Sequence, residues 1–232
     1  MHDLCNSKSV PGCLHCNIYP SSSLHHLHAI HLDVHFIVLA RCALYSVVDR
    51  PRPRAADADD MSVNHDGIVI VAAADITLSP IVIADQPTTF EVVCVRAVVG
   101  CFAAIVVVVY RPGSMPIQQL FFDELATVLD RFAAYQESIY VVGDFNVRLD
   151  RSDDPHADQF CLLVDCYGLK LHATGPTHQL GGTLDAVITQ ETTACPECVA
   201  IVDVGLLDHY LLRWEVSTTR DVSSVVTVQS RP

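Results

Sequence analysis

Lysine is nearly missing from this sequence: Lys8 and Lys170 are the two among 232 residues. Lysine and arginine together number 14 against 27 aspartates and glutamates, a formal net charge of -13. Tight nonspecific binding to nucleic acid needs a basic surface, so this balance argues against it. An acidic metal pocket that handles phosphates once a cation is bound stays compatible with it. Long apolar runs are lacking too. The longest, Ala97 to Tyr110, falls short of the roughly 18 residues a membrane span needs, and its Val and Ile content predicts a buried strand. The opening stretch MHDLCNSKSV has no basic region followed by an apolar one. No signal peptide is therefore expected, and the expected location is intracellular, nuclear or cytoplasmic.

What is present can build a core. Half of the residues are apolar and mean hydropathy is +0.33, which excludes a disordered chain and suits one domain. Ten cysteines do not make a secreted disulfide scaffold at this length. Reduced thiols packed as small apolar residues are the default reading. Cys13/Cys16 and Cys195/Cys198 form two CxxC pairs, but a shared zinc would require them to meet across most of the chain. Zinc pairs in one module stand about 15–20 residues apart.

Periodicity outlines the elements. Ser21 to His35 reads as a helix, with Leu24, Leu27, His31 and Val34 at helical spacing. Residues 36–40 read as a short buried strand, and the Pro-rich, charged residues 50–60 as a surface loop. Strand-like runs follow at Ile68–Ala72, Ile81–Ala84, Thr89–Val95 and Ala103–Tyr110. Ile117 to Gln136 is the clearest helix, its apolar stripe made by Ile117, Leu120, Phe121, Leu125, Val128, Leu129 and Phe132. Ser138–Val142 is a strand that ends in the turn Gly143-Asp144-Phe145-Asn146. Asp154-Pro155 opens a second helix, with Phe160, Leu163, Val164 and Tyr167 inward and Gly168 as its stop. Short strands fit Thr183–Thr189, Ala200–Val204 and Tyr210–Val216. Many strands with few interleaved helices predict two packed sheets flanked by helices. No internal repeat and no linker divides the chain.

Polar residues cluster where strands end. Asp144 and Asn146 follow one strand, Asp185 sits in GTLDAVIT, Asp208-His209 lies in GLLDHYLL, and Tyr110 closes the longest apolar run. Carboxylates, an Asn and a His at strand ends suit a hard metal such as magnesium, which wants oxygen ligands and keeps waters that a phosphate can displace. Each residue alone has a plainer reading. Asp144 suits a turn, Asn146 and Asp185 suit caps, and His209 suits a solvated surface position. Their order is what makes them specific.

Val141-Val142-Gly143-Asp144-Phe145-Asn146 resembles the GDFN signature of the endonuclease/exonuclease/phosphatase superfamily. Tyr110-Arg111-Pro112 resembles its upstream YRP element, and residues Thr177 to Asp185 resemble the TH…G…LD element of non-LTR retrotransposon endonucleases. Leu207-Asp208-His209 is similar to the closing SDH motif, with Leu207 where Ser is usual. Leu14 to Ile18 resembles the first-strand element that ends in a catalytic Asn, here Asn17. Five elements thus occur in order with compatible gaps.

The resemblance implies an α/β (α+β) fold: a four-layer sandwich of two packed mixed sheets flanked by helices, deoxyribonuclease I-like. It places the domain at residues 13–216, with extensions at 1–12 and 217–232. It implies a magnesium-dependent phosphodiesterase, with manganese as a possible substitute, that nicks DNA as a monomer away from membranes. For matched positions it implies roles. Asp144 would position or deprotonate the attacking water, and Asn146 would orient that water and the phosphate. Asp185 would hold the imidazole of His209, which would stabilise the phosphorane-like charge. Tyr110 would donate to a phosphate oxygen. Asp208 and Asn17 would help hold the metal. His178 and Thr183 would be substrate-side or structural.

One element departs from the pattern. Arg41 falls where the resemblance implies the main magnesium-binding Glu, and no acidic residue lies between Val34 and Val48 to replace it. The following loop is shortened, and no reverse transcriptase follows in this chain. A truncated, partly decayed retroelement endonuclease accounts for these features. Arg41 is expected to pair with Asp144 or Asp208 and to compete with the cation. His31 and His35, four residues apart, could share a helical face, although solvated surface histidines are the simpler reading. The function classes are a DNA-nicking enzyme, an inactive relic with at most a binding role, and a phosphatase of the same fold.

Overall fold

The computed structural model describes residues 13–17, 27–31, 45–51, 67–172, 175–190, 200–202 and 208–217. Two mixed sheets form the centre. The first runs β11-β12-β1-β2-β4-β3, built from β1 (Cys13–Asn17), β2 (Leu27–His31), β3 (Tyr45–Pro51), β4 (Gly67–Ala73), β11 (Ala200–Val202) and β12 (Leu211–Ser217). The second runs β5-β6-β7-β8-β10-β9, built from β5 (Thr77–Ile81), β6 (Glu91–Val99), β7 (Phe102–Tyr110), β8 (Ser138–Asp144), β9 (Leu169–Leu171) and β10 (Asp185–Gln190). Most neighbours are antiparallel, while β1 with β2 and β7 with β8 are parallel.

Alternation sorts the second sheet's side chains into two cores, because successive residues of a strand face opposite ways. Val93, Val95, Ala97, Ala104, Val106, Val108, Tyr140, Val142 and Val187 face the first sheet and meet Ile68, Ile70, Leu212 and Trp214. Val92, Cys94, Ile105, Val107, Val109, Ile139, Val141 and Ile188 face the helices. The central strands are therefore apolar on both faces, which is why they read as unbroken Val/Ile runs.

Helix α1 spans Gln119–Phe132 and buries Phe121, Phe122, Leu125, Val128, Leu129 and Phe132. It is shorter than the expected 117–136, and Leu120 lies outside the stripe at 47 % exposure, with Phe122 inside it. Helix α2 spans Pro155–Cys166, with Phe160 and Val164 buried against the helix-side core. The Asp154 side chain caps it by accepting the His156 N–H at 2.9 Å, and Pro155 follows, where a missing N–H costs nothing. Both helices pack on the outer face of the second sheet.

Three expectations are corrected here. Residues Leu27–His31 form strand β2, so the helix expected over Ser21–His35 does not hold there. Its spacing fits a strand as readily, because Leu27 and His31 are also an even number of residues apart. His31 and His35 therefore share no helical face, and His35 lies outside the described residues. Strand β5 is Thr77–Ile81 rather than Ile81–Ala84, held by its ladder to β6 from Thr77↔Val98 to Ile81↔Cys94. Arg50 and Pro51, expected in a loop, end β3. The expected strand at 36–40, the rest of the 50–60 loop, Arg41 and the Cys195/Cys198 pair lie outside the described residues.

Candidate active site

Sheet register sets the site. Tyr110 ends β7 level with Asp144, which ends β8, and Asp144 is level with Asp185, which begins β10. Three polar residues thus stand abreast on three neighbouring strands, about 4.8 Å apart from strand to strand. Gly143 makes this row possible. It pairs with Val109 at φ +140°, and an added Cβ would lie 1.9 Å from the Val109 carbonyl oxygen. The chain then turns sharply, with Asn146 at φ +49°, a conformation that Asn tolerates better than most residues.

The turn folds Asn146 back onto Asp144. The Asn146 N–H donates to Asp144 Oδ1 at 2.9 Å, and its Nδ2 donates to Asp144 Oδ2 at 2.8 Å. A second Nδ2 bond reaches the Arg111 carbonyl at 2.8 Å. Two of the Asn146 N–H donors thus orient Asp144, and the third ties the turn to the Arg111 main chain.

His209 arrives on a separate segment. It forms an isolated antiparallel bridge with His178, and two further backbone bonds join the segments: Gln179 N to the Asp208 carbonyl at 2.8 Å and Tyr210 N to the Thr177 carbonyl at 2.7 Å. Its Nδ1 lies 2.8 Å from Asp185 Oδ2, and its Nε2 lies 3.9 Å from Asp144 Oδ2. The second distance is too long for a hydrogen bond and is a charge contact.

Burial and the facing Asp185 charge push the Asp144 carboxyl up to about 7, against the downward pull of His209, the Asn146 N–H and Arg111. Burial alone would lower the His209 imidazole. The hydrogen bond to Asp185 and the charges of Asp185, Asp144 and Asp208 outweigh it and push the group up to about 9. The site at neutral pH therefore holds an imidazolium beside crowded carboxylates.

Ligand atoms of Asp144, Asp185 and His209 all lie within 4.8 Å of one another. Hard oxygen donors that crowd each other suit a divalent cation, which would relieve their repulsion. A protonated His209 is a donor rather than a ligand. A second group, His178, Asp208 and His209, also converges. There, His178 Nδ1 accepts the Leu180 N–H at 3.1 Å, so the ring proton sits on Nε2, facing Asp208 at 3.5 Å. That tautomer cannot ligate a metal through Nε2.

Other expected residues are placed as follows. Asp208 is 69 % exposed at its side chain and faces His178, so it stands apart from the Asp144–Asp185 pair. Asn17 ends β1 in register with Arg213 of β12. Thr183 is buried, and its hydroxyl donates to the Gly175 carbonyl at 2.8 Å. Two residues inside the quoted motifs had been given no role. Thr177 is buried, and its Oγ1 accepts the N–H groups of Leu184 and Asp185 at 2.9 and 3.0 Å, fixing where β10 begins. Arg111 is buried beneath the Asp144 turn. Their place inside the quoted motifs was the available sequence signal for both.

No family model and no curated protein matches the chain. Solved structures do. The catalytic domain of human Nocturnin with bound sulfate aligns at TM-score 0.62 and 13 % identity, over 90 % of this chain and 94 % of that one. The endonuclease domain of TRAS1, a telomere-specific non-LTR retrotransposon, aligns at 0.61 and 14 %, over 84 % and 86 %. The 3′ phosphatase NExo from Neisseria, bound to a product DNA hairpin, aligns at 0.58 and 16 %, over 88 % and 99 %. At these identities the likeness establishes the fold.

Proposed function

We propose that this chain, which has the deoxyribonuclease I-like fold of the endonuclease/exonuclease/phosphatase proteins, hydrolyses phosphodiester bonds of nucleic acid. The finer reading is a DNA-nicking endonuclease of the retrotransposon type, weakened by Arg41. The observation that carries it is the clamp on His209, bonded to Asp185 at 2.8 Å and facing Asp144 at 3.9 Å across a shared sheet end.

In-line attack on a phosphodiester needs an activated water and positive charge at the developing phosphorane. Asp144 accepts the proton of the attacking water through a carboxylate that Asn146 orients. With no cation bound, that carboxyl stands near 7 and accepts a proton more readily than an ordinary aspartate. The imidazolium of His209 donates through Nε2 to a non-bridging phosphate oxygen, while Asp185 fixes its ring and keeps it charged. The new P–O bond forms as the bond to the leaving sugar oxygen breaks, and that oxygen leaves with the bonding electron pair and takes a proton from solvent water. Tyr110, level with Asp144, would supply a phenolic O–H to the phosphate, and His178, whose Nε2–H faces Asp208, would be substrate-side or structural. Magnesium, or manganese, would be held by Asp144 and Asp185, with Asn17 as the resemblance implies, and would supply charge neutralisation at the phosphate, while Asp208 faces His178 outside that pair.

A second reading, a folded but inactive relic, rests on Arg41 in the place of the expected Glu. Plasmid nicking with and without magnesium separates the two. Weak nicking that needs magnesium and vanishes in Asp144→Asn supports the hydrolase. Nicking that survives in Asp144→Asn overturns it, and activity that appears only after Arg41→Glu favours the relic.

A further inference from the structure

Arg111 is 3 % exposed, and every hydrogen bond its guanidinium makes among the described residues ends on a backbone carbonyl. Nε donates to Phe145 O at 2.7 Å, and Nη2 donates to Asn146 O at 2.7 Å. Nη1 donates to Met115 O at 2.7 Å and Pro112 O at 3.2 Å. Its main chain joins the same turn: Arg111 N donates to Asp144 O at 2.9 Å, and Arg111 O accepts from Asn146 Nδ2 at 2.8 Å. One residue thus holds three successive carbonyls, those of Asp144, Phe145 and Asn146, together with the Asn146 side chain. The Phe121 ring lies 5.8 Å from the guanidinium and helps fix its plane.

We propose that Arg111 is a positioning residue for the hydrolysis: it locks the Asp144-Phe145-Asn146 turn so that the Asp144 carboxylate and the Asn146 amide are aimed before substrate arrives. The proposal rests on the hydrolytic reading above. Burying a charge is costly, and an apolar side chain of similar volume would fill the space at less expense. A charge bonded only to carbonyls therefore points to geometry as its use. The rigid guanidinium fork reaches two successive carbonyls at once, which a single ammonium cannot do. The turn also needs holding, because Asn146 sits at φ +49°.

The test uses the full chain, magnesium, and bis(4-nitrophenyl) phosphate as the probe substrate. Arg111→Lys keeps the charge and loses the fork. It should lower kcat about 100-fold with KM changed less than about threefold. Asn146→Ala added to Arg111→Lys should cost far less than it does alone, because both act through one turn. Arg111→Lys within twofold of the parent kcat, or fully additive losses, would overturn the proposal. In the unmodified chain, nitrogen-resolved NMR should show the Arg111 Nε–H and both Asn146 Nδ2 protons protected from exchange, and Arg111→Lys should abolish the Asn146 protection. Unprotected resonances in the parent overturn the proposal even where the variant does not fold. A parent without turnover counts against the hydrolytic reading, while the NMR result still decides whether Arg111 sets the turn.

Discussion

His209 and Asp185 are joined by a 2.8 Å bond from imidazole Nδ1 to carboxylate Oδ2, although 24 residues separate them in the chain. Thr177 holds both ends of that pair. Its hydroxyl accepts the Asp185 N–H, and its carbonyl accepts the N–H of Tyr210, next to His209. The main chain at both members of the pair is therefore placed by Thr177, independently of the Asp185 and His209 side chains.

Asp185→Asn should leave that backbone intact, because Thr177 bonds the main chain of residue 185 rather than its side chain. The bond to His209 would survive in neutral form, but the charge that raises the imidazole would be gone. Asp144 and Asp208 still face the ring, so the His209 pKa should fall from about 9 toward its ordinary range rather than collapse. NMR titration of the ring protons reads this directly. Any phosphodiesterase kcat should fall at neutral pH by a factor of about 100 or more. An unchanged titration would mean that Asp185 does not control the imidazole.

Metal-free stability should fall as pH rises from about 4 to 9. Asp144 titrates near 3.8 in ordinary surroundings and near 7 in the fold. Between those values the folded chain keeps a proton that the unfolded chain has lost, so raising pH disfavours the fold. His209 moves from 6.5 to about 9, so its stabilisation is complete below 6.5 and is lost as pH rises through 9. Asp150, held low by Arg148, and Asp154, held low by the His156 N–H, act oppositely and lose their stabilisation only in stronger acid. Thermal melts in chelator should show Asp144→Asn flattening the decline between pH 4 and 7 and, because the Asp144 charge helps raise His209, shrinking without abolishing the part between 7 and 9. An identical decline in that variant would exclude Asp144 as its source.

Gly143→Ala should destabilise the fold by about 3 kcal/mol or more, because the new Cβ would lie 1.9 Å from a backbone atom that cannot yield without opening the β7–β8 ladder. Gly100 is the control. It has φ +55° with nothing within 4 Å of an added Cβ, so Gly100→Ala should cost only about 1–2 kcal/mol for the left-handed backbone. Urea unfolding of both variants checks the order, and equal losses would refute the steric argument.

The same contrast shows what sequence reading could reach. Strands β7 and β8 were legible because both of their faces are buried, whereas the single strand expected over Ala97–Tyr110 is broken by the turn at Gly100 and Cys101, so its first residues end β6 and not β7. Helix α2 was legible from Asp154-Pro155 and Gly168, which act locally. Strand β2 was misread because histidine and leucine recur there at a spacing that both periods satisfy. Strand β5, TLSPI, was displaced because it is a half-exposed edge with polar residues and a proline, and its ladder to β6 supplies what its composition lacks. Asp144, Asp185 and His209 were reached through motif order. Their register, and the part Thr177 and Arg111 play in it, required the fold, because carbonyl and N–H partners leave no mark on a motif.

The last prediction concerns Arg41. Magnesium takes oxygen ligands, and the described pair offers Asp144 together with an Asp185 whose Oδ2 already accepts from His209. The resemblance implies a Glu at position 41, and the chain has Arg, a change of two charge units in the direction that repels a cation. Arginine stays protonated at ordinary pH and cannot become a ligand. Two unit charges about 4 Å apart interact by about 4 kcal/mol at an effective dielectric near 20, before desolvation is set against it. Even a quarter of that would weaken binding about fivefold. The unmodified chain should therefore bind magnesium weakly by calorimetry and nick plasmid slowly or not at all. Arg41→Glu should raise magnesium affinity at least tenfold and increase nicking, and Asp144→Asn in that background should abolish both gains. The shortening that the resemblance implies after position 41 would limit how far nicking recovers, so the affinity change is the cleaner measure. Strong magnesium-dependent nicking by the unmodified chain, unimproved by Arg41→Glu, would show that position 41 is not the ligand position and that the cation rests on Asp144 and Asp185 without it.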